Sequence, residues 1–294
     1  MRLAAALLAL ALPWAGALWA EGTDPSEGPE PASAPTLLDP AILPHPGLQD
    51  LRSGYEAAAW QAVGRLDIGG KGFCTGTLIA PDLVLTAAHC LFDRDSGQAV
   101  DPARIEFRAG FRNGWSAASS AARRAMPHPS YVFDPEAGAA ESARDIALVE
   151  LDQPIGDRVT PFETAGDALD AGSEVSVVSY AVGRSEAPSR EEACGVLGTE
   201  QGVLVLTCDV DFGASGAPIF RMDGSIARIV SVVSAKGELD GHRVALGTSL
   251  TEPLAELRAA FAAAALAGPE MLQAAGGNRP DIGARFVRVG ASAP

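Results

Sequence analysis

The sequence predicts an all-β protein. Three observations carry this reading: many short runs with strand character, turn signals at short spacing between them, and a single helical pattern late in the chain. The 294 residues suffice for one large β domain or two small ones.

Taken in order, residues 1–20 read as a secretory signal. Arg2 supplies the positive end, Leu3 to Leu12 the apolar stretch, and Ala17 or Ala20 a small-residue exit. The apolar run is too short to span a bilayer, no other run is long enough, and no cysteine near the exit could carry a lipid. Residues 21–54 are rich in Pro, Ala, Ser, Glu and Asp and are expected to be disordered, a pro-segment or linker. From Tyr55 the pattern changes. Strands are expected at 60–66, 73–79 and 83–86, separated by turns at Gly69-Gly70-Lys71-Gly72 and Ala80-Pro81-Asp82. A helical turn at 87–92 carries His89.

Further strands are expected at 104–109, 121–126 and 145–151, with a polar loop at 133–144. His128, in the turn His128-Pro129-Ser130-Tyr131, reads as structural. An irregular crossing at 154–169 leads to strands at 174–181, 194–197, 203–210, 218–221, 226–234 and 244–248. Residues 184–192 read as a charged loop, with turns at 222–224 and 236–241. Thr251-Glu252-Pro253 opens a helix by a capping hydroxyl, an acid and a first-turn proline, and Leu254, Leu257 and Phe261 share one face. Gly268-Pro269 ends it. Nothing in the tail beyond it points to a role.

The formal net charge of −15 argues against nucleic-acid binding, because nothing here would neutralise phosphates, and against a polybasic membrane anchor. Export implies an oxidising compartment, which suits four cysteines. Three pairings of them are open, and the absence of a CxxC pair disfavours zinc.

One stretch carries chemistry. In Asp209-Val210-Asp211-Phe212-Gly213-Ala214-Ser215-Gly216-Ala217-Pro218, small residues crowd a serine just before a strand. Gly213 and Gly216 allow a bend that exposes the Ser215 hydroxyl and aims backbone N–H groups at one point, as acyl transfer requires. Thr86-Ala87-Ala88-His89-Cys90 follows an apolar strand, and Asp145-Ile146-Ala147-Leu148 opens another.

The order His89, Asp145, Ser215 and these three blocks resemble the trypsin/chymotrypsin family of serine proteases, over roughly residues 55–267. The resemblance implies two antiparallel β-barrels, at 55–160 and 161–267, the second followed by the terminal helix; residues 268–294 remain a tail. It implies a His89, Asp145, Ser215 triad in the cleft between them, an oxyanion hole from the N–H groups of Gly213 and Ser215, and no cofactor or metal. It pairs Cys74 with Cys90, which leaves Cys194 with Cys208. The expected activity is that of a secreted or periplasmic trypsin-like endopeptidase. It would act as a monomer on protein or peptide substrates, lose activity on acidification, and have no nucleic-acid partner and no membrane anchor. An inactive binding protein on the same scaffold and an esterase with the same triad are the alternatives.

Two positions depart from the family's Gly-Asp-Ser-Gly-Gly-Pro. Ala214 replaces the acid that binds a newly cut N-terminus, and no Ile-Val-Gly-Gly start precedes Trp60, so the chain looks more like the bacterial branch with its glutamyl endopeptidase-like enzymes. A pro-segment would then act by simple blocking or not at all. Ala217 replaces a glycine, an exchange expected to be tolerated. For specificity, Asp209 or Asp211 could form a cation-binding base. No histidine occurs in 226–234, which disfavours Glu preference. Ser231, Val232 and Val233 are expected to wall the substrate pocket, where valines would favour small or aliphatic side chains.

Overall fold

The structure, a computed structural model, describes residues 37–43, 47–134, 142–267 and the backbone of 286–288. The expected signal segment lies outside the described residues. The strands are β1 (Leu48–Asp50), β2 (Val63–Ile68), β3 (Gly72–Ala80), β4 (Leu83–Thr86), β5 (Ile105–Ala109), β6 (Ala118–Pro127), β7 (Ala147–Leu151), β8 (Glu163–Thr164), β9 (Glu174–Ala181), β10 (Arg184–Glu200), β11 (Val203–Leu206), β12 (Pro218–Asp223), β13 (Ile226–Leu239), β14 (His242–Ser249) and β15 (Phe286–Arg288). A short helix α1 (Gly54–Ala58) precedes the first barrel, and α2 (Pro253–Ala267) follows the second.

Strands β2-β3-β4-β7-β6-β5 close into one antiparallel barrel. Alternation fills it: Ala118, Ser120 and Ala122 of β6 point inward between exposed neighbours. Leu66, Leu78, Val84, Phe107 and Val149 complete that core. The second ring runs β9-β10-β11-β14-β13-β12 and returns to β9, since β9 pairs with both β10 and β12.

Strand β9 is buried on both faces. Val175 and Val177 face the second barrel's interior, whereas Val178 and Tyr180 enter an apolar layer shared with Val63, Leu85, Phe111 and Leu148 of the first. Each large side chain buried there stabilises by about 1.5–3 kcal/mol, which ties the two barrels together. The Tyr180 hydroxyl donates across this layer to Phe111 O at 2.8 Å. Leu254, Leu257 and Phe261 of α2 seal it. The helix also engages the first barrel, where the Arg124 guanidinium of β6 sits 3.6 Å over the Phe261 ring.

Several segments are more ordered than composition implied. Within 21–54, Asp39 caps a 3-10 turn at Pro40–Ile42, β1 pairs with β10, and a Ser53/Glu56 capping box starts α1. The charged loop expected at 184–192 lies inside β10, which is held by β9 on one side and β1 on the other. Its polar side chains find partners: the Ser189 hydroxyl meets Asp50 at 3.0 Å and Arg190 lies over Trp60. Strand β13 runs through most of the turn expected at 236–241, and the chain reverses at Asp240 and Gly241, both with positive φ. Strand β15 adds in parallel to β13.

Candidate active site

The residues before His89 are fixed by the first barrel. Strand β4 ends at Thr86, and a 3-10 turn over Ala88–Leu91 follows, closed by Cys90 N–H to Ala87 O. A disulfide joins Cys90 to Cys74 on β3, with Cα atoms 6.3 Å apart. Both sulfurs beside His89 are thereby spent in a covalent bond. Cys194 pairs with Cys208, and the described residues hold no free cysteine.

Asp145 was expected to begin a strand. It stands in the turn before β7 instead, because Ile146 N–H bonds back to Arg144 O and frees the acid to face His89. Its carboxylate is wholly buried and accepts three hydrogen bonds. The His89 backbone N–H reaches Oδ1 at 2.9 Å, and His89 Nδ1–H reaches Oδ2 at 2.7 Å. The Ser234 hydroxyl, from the second barrel, donates to Oδ2 at 2.5 Å. Burial pushes the Asp145 carboxyl up, but the His89 ring, its N–H groups and Ser234 outweigh it and hold the group below the usual carboxylate range. With Nδ1 donating to Asp145, Nε2 is left as the acceptor nitrogen. Thr248 of β14 donates to Ser142 O at 2.5 Å, bracing the same turn from the second barrel.

The Ser215 bend is seated on the strand end that leads to His89. Thr75 N–H donates to Ser215 O at 2.9 Å. Gly216, at φ +80°, packs so closely that a Cβ there would lie 2.2 Å from Thr75 O, 2.2 Å from Thr86 Oγ1 and 2.9 Å from Ala87 N. Only glycine fits this contact.

Every carbonyl from 211 to 215 is tied back. Asp211 O accepts from Ala214 N–H, Phe212 O from Val182 N–H at 2.7 Å, Gly213 O from the Thr75 hydroxyl at 2.9 Å, Ala214 O from Ala217 N–H, and Ser215 O from Thr75 N–H. In a trans peptide the N–H points opposite its carbonyl. The Gly213 N–H is thus turned away from Val182, and among the described residues neither it nor the Ser215 N–H donates to a protein acceptor. Gly213 itself, at φ +95°, is wedged against the Phe73 ring. Ala214 is fully buried in the second barrel's core, so its site holds a methyl group where an ion pair would need a carboxylate.

A cleft of about 150 Å³ opens between the run that enters this bend and strands β13 and β14; Asp209, Val210, Lys236, Arg243 and Val244 line it together with Thr207 and Cys208. Asp209 does line it. Ser231, Val232 and Val233 do not line this cleft: all three are buried in the sheet, where Ser231 donates to Thr248 O and Val233 bonds Gly216 and Ala217 through its backbone. Strand β13 runs past Ser234 to Leu239, and its Lys236 reaches this cleft. Ser234, Thr248, Lys236 and Arg243 were all missed. A lone serine or lysine inside an apolar strand carries no motif, and only the barrel pairing brings them here.

Two closed antiparallel barrels sharing one apolar layer, with a histidine–aspartate pair on the first and a glycine-flanked serine bend on the second, define the chymotrypsin-like class of fold. The chain belongs to the trypsin family, whose model, described as Trypsin, matches residues 52–251.

Similar curated proteins include the glutamyl endopeptidase of Bacillus licheniformis, 25% identical over 186 residues, 62% of this chain and 57% of that protein. Serine protease 56 of Mus musculus is 34% identical over 99 residues, covering 34% of this chain and 15% of its own length. The chain therefore spans little more than half of the first relative and a small part of the second. Among solved structures, a Glu endopeptidase in complex with MPD matches 74% of this chain and 97% of its own at TM-score 0.62 and 19% identity. A thermostable serine protease AL20 from an extremophilic microorganism matches 69% of this chain and 99% of its own at TM-score 0.55 and 19% identity. At such identity these two speak to the fold.

Proposed function

We propose that this chain is an exported serine endopeptidase that hydrolyses peptide bonds through an acyl-enzyme on Ser215. His89 Nε2 takes the Ser215 hydroxyl proton as the oxygen bonds to the scissile carbonyl carbon. The carbonyl oxygen becomes an oxyanion and receives the N–H groups of Gly213 and Ser215. As the C–N bond breaks, His89 returns the proton to the leaving amine. Water then attacks the ester, giving its proton to His89, and Ser215 leaves with that proton restored. Asp145 keeps Nδ1 protonated and balances the imidazolium.

The observation that supports this reading most is the bend itself. The carbonyls of Phe212, Gly213 and Ser215 bond the surrounding scaffold and those of Asp211 and Ala214 close turns within the bend, while among the described residues the N–H groups of Gly213 and Ser215 find no protein acceptor. A structural turn gains nothing from leaving those donors without acceptors. The two disulfides suit an oxidising compartment, in keeping with the signal-like residues 1–20. Matched peptide and ester substrates test the reading. Wild type is expected to show a burst of acyl-enzyme and then steady turnover of both, and Ser215→Ala neither. Ester turnover without peptide cleavage would replace the endopeptidase reading, and activity retained in Ser215→Ala would remove Ser215 from the mechanism.

A further inference from the structure

Strand β13 has two edges, and beside the Ser215 bend one of them carries the strand β15 from the far end of the same chain. Val232 pairs with Pro218 of β12 and with Thr248 of β14, so β12 and β14 lie on opposite edges. Lys236 pairs with Ala245 of β14 and with Phe286 of β15, so β15 lies on the edge of β12. Along that edge β12 ends at Pro218, and the Val233 backbone bonds Gly216 and Ala217, the two residues that follow Ser215. The next stretch, Lys236, Gly237 and Glu238, is taken by Phe286, Val287 and Arg288.

This stretch lies beside the catalytic groups. Ser234, two residues before Lys236, donates to Asp145 Oδ2 at 2.5 Å. Lys236 Nζ reaches Asp211 Oδ1 at 2.9 Å and lies 4.4 Å from the centre of the Phe212 ring, in the run that enters the bend. A strand edge offers a row of N–H and C=O groups that an extended chain can pair with. An extended peptide whose acyl side approaches Ser215 meets those groups here, whatever its side chains.

The direction of β15 decides what it does there. It runs parallel to β13, so Phe286 is nearest the bend and Arg288 furthest from it. A substrate paired here through its acyl side must run the opposite way, toward Ser215. Strand β15 thus uses the main-chain groups of the edge while leading its own next peptide bonds away from the nucleophile. The register sets Arg288 opposite Glu238, and no like charges stand opposite each other.

We infer that β15 is a competitive strap: residues 286–288 hold the edge of β13 that a peptide substrate uses, and the substrate must displace them before Ser215 is acylated. This competition presupposes the endopeptidase reading and supplies its regulation. A tethered strand meets its edge at an effective concentration on the order of 1 mM; against an affinity of about 0.1 mM for so short a strand, that slows capture of a peptide about tenfold. A small ester needs only the bend and escapes the competition. Any event that removes or unpairs 286–288 therefore raises activity on peptides alone.

The test compares the full chain, Val287→Pro, and a chain ending at Ala284. Proline cannot donate to a ladder, so it unpairs β15 and leaves the tail in place. Each protein is assayed with fluorescein-labelled casein at low concentration, with p-nitrophenyl acetate, and by its rate of fluorophosphonate labelling, and thermal denaturation checks that each is folded. Both altered chains are expected to cleave casein about tenfold faster than the full chain, through KM, with ester turnover and labelling within about twofold. A synthetic peptide of residues 283–291 is expected to inhibit the shortened chain competitively and the full chain about tenfold more weakly. Equal casein cleavage by all three labelled proteins overturns the inference and leaves the endopeptidase reading standing. So does loss of casein cleavage together with labelling in both altered chains, which makes β15 a structural brace. No casein cleavage by any of the three overturns both.

Discussion

Gly216→Ala puts the seating of the nucleophile to a quantitative test. The added methyl would lie 2.2 Å from Thr75 O, 2.2 Å from Thr86 Oγ1 and 2.9 Å from Ala87 N, all of them parts of the barrel wall and the strand end before His89. At φ +80° an alanine costs about 1–2 kcal/mol in backbone strain alone. Relieving the overlap adds about 1–3 kcal/mol. The sum, about 2–5 kcal/mol, is a large share of a typical domain's stability and corresponds to a Tm drop of about 4–20 °C. The control is Gly224→Ala, at φ +64° with nothing within 4 Å of its Cβ, where only the strain applies and the drop is about 2–8 °C. Thermal denaturation of both variants gives the comparison. Kinetics add a second reading, because relieving the overlap shifts the residue next to Ser215, and displacement of a nucleophile by about 1 Å costs about a hundredfold in turnover. If Gly216→Ala melts no lower than Gly224→Ala, the bend does not sit against Thr75 and Thr86, and the placement of Ser215 argued above is wrong.

Other outcomes follow from the same contacts. Ser234→Ala removes one of three donors to a buried carboxylate; kcat should fall about tenfold with KM little changed, since two donors remain. Replacing Cys74 and Cys90 together by alanine opens a link of sequence separation 16 and should cost about 3 kcal/mol, read from urea denaturation of both proteins. His128 is buried, accepts Ser130 N–H at Nδ1 and meets Glu256 through Nε2 at 2.9 Å. Burial pushes its pKa down against the opposing pull of Glu256, with Arg144 also lowering it, so the folded chain favours the neutral ring. The unfolded chain takes the proton more readily, so this contribution is whole above about pH 6.5 and is lost as pH falls through the folded value. Stability measured at about pH 7.5 and about pH 5.5 should differ more in wild type than in His128→Gln.

The sequence made the strands around the chemistry legible because their apolar runs end in residues with few alternatives. Thr-Ala-Ala-His-Cys at 86–90 and Gly213-Ala214-Ser215-Gly216 are local patterns; the first leads into a 3-10 turn after β4 and the second forms a bend packed on Thr75 and Thr86. The fold class followed for the same reason: period-two burial in β6 and the turn glycines are written locally. What lay outside reach depends on pairing between distant segments. Residues 184–192 are charged enough to read as a loop, yet β1 and β9 flank them and turn those charges into cross-strand partners. Asp145 shows hydrophobic context without its turn, because that turn is set by Ser142, Thr248 and His89, far apart in sequence. On β13, Lys236 lines the cleft beside the bend, whereas Ser231, Val232 and Val233 are buried in the sheet.

Whether the Ser215 hydroxyl and the His89 imidazole share a proton is measured most directly with a fluorophosphonate, followed by intact mass and peptide mapping. The account predicts a single adduct on Ser215, absent in Ser215→Ala and strongly slowed in His89→Ala. No adduct on folded wild-type protein, or an adduct elsewhere that survives both substitutions, would contradict it.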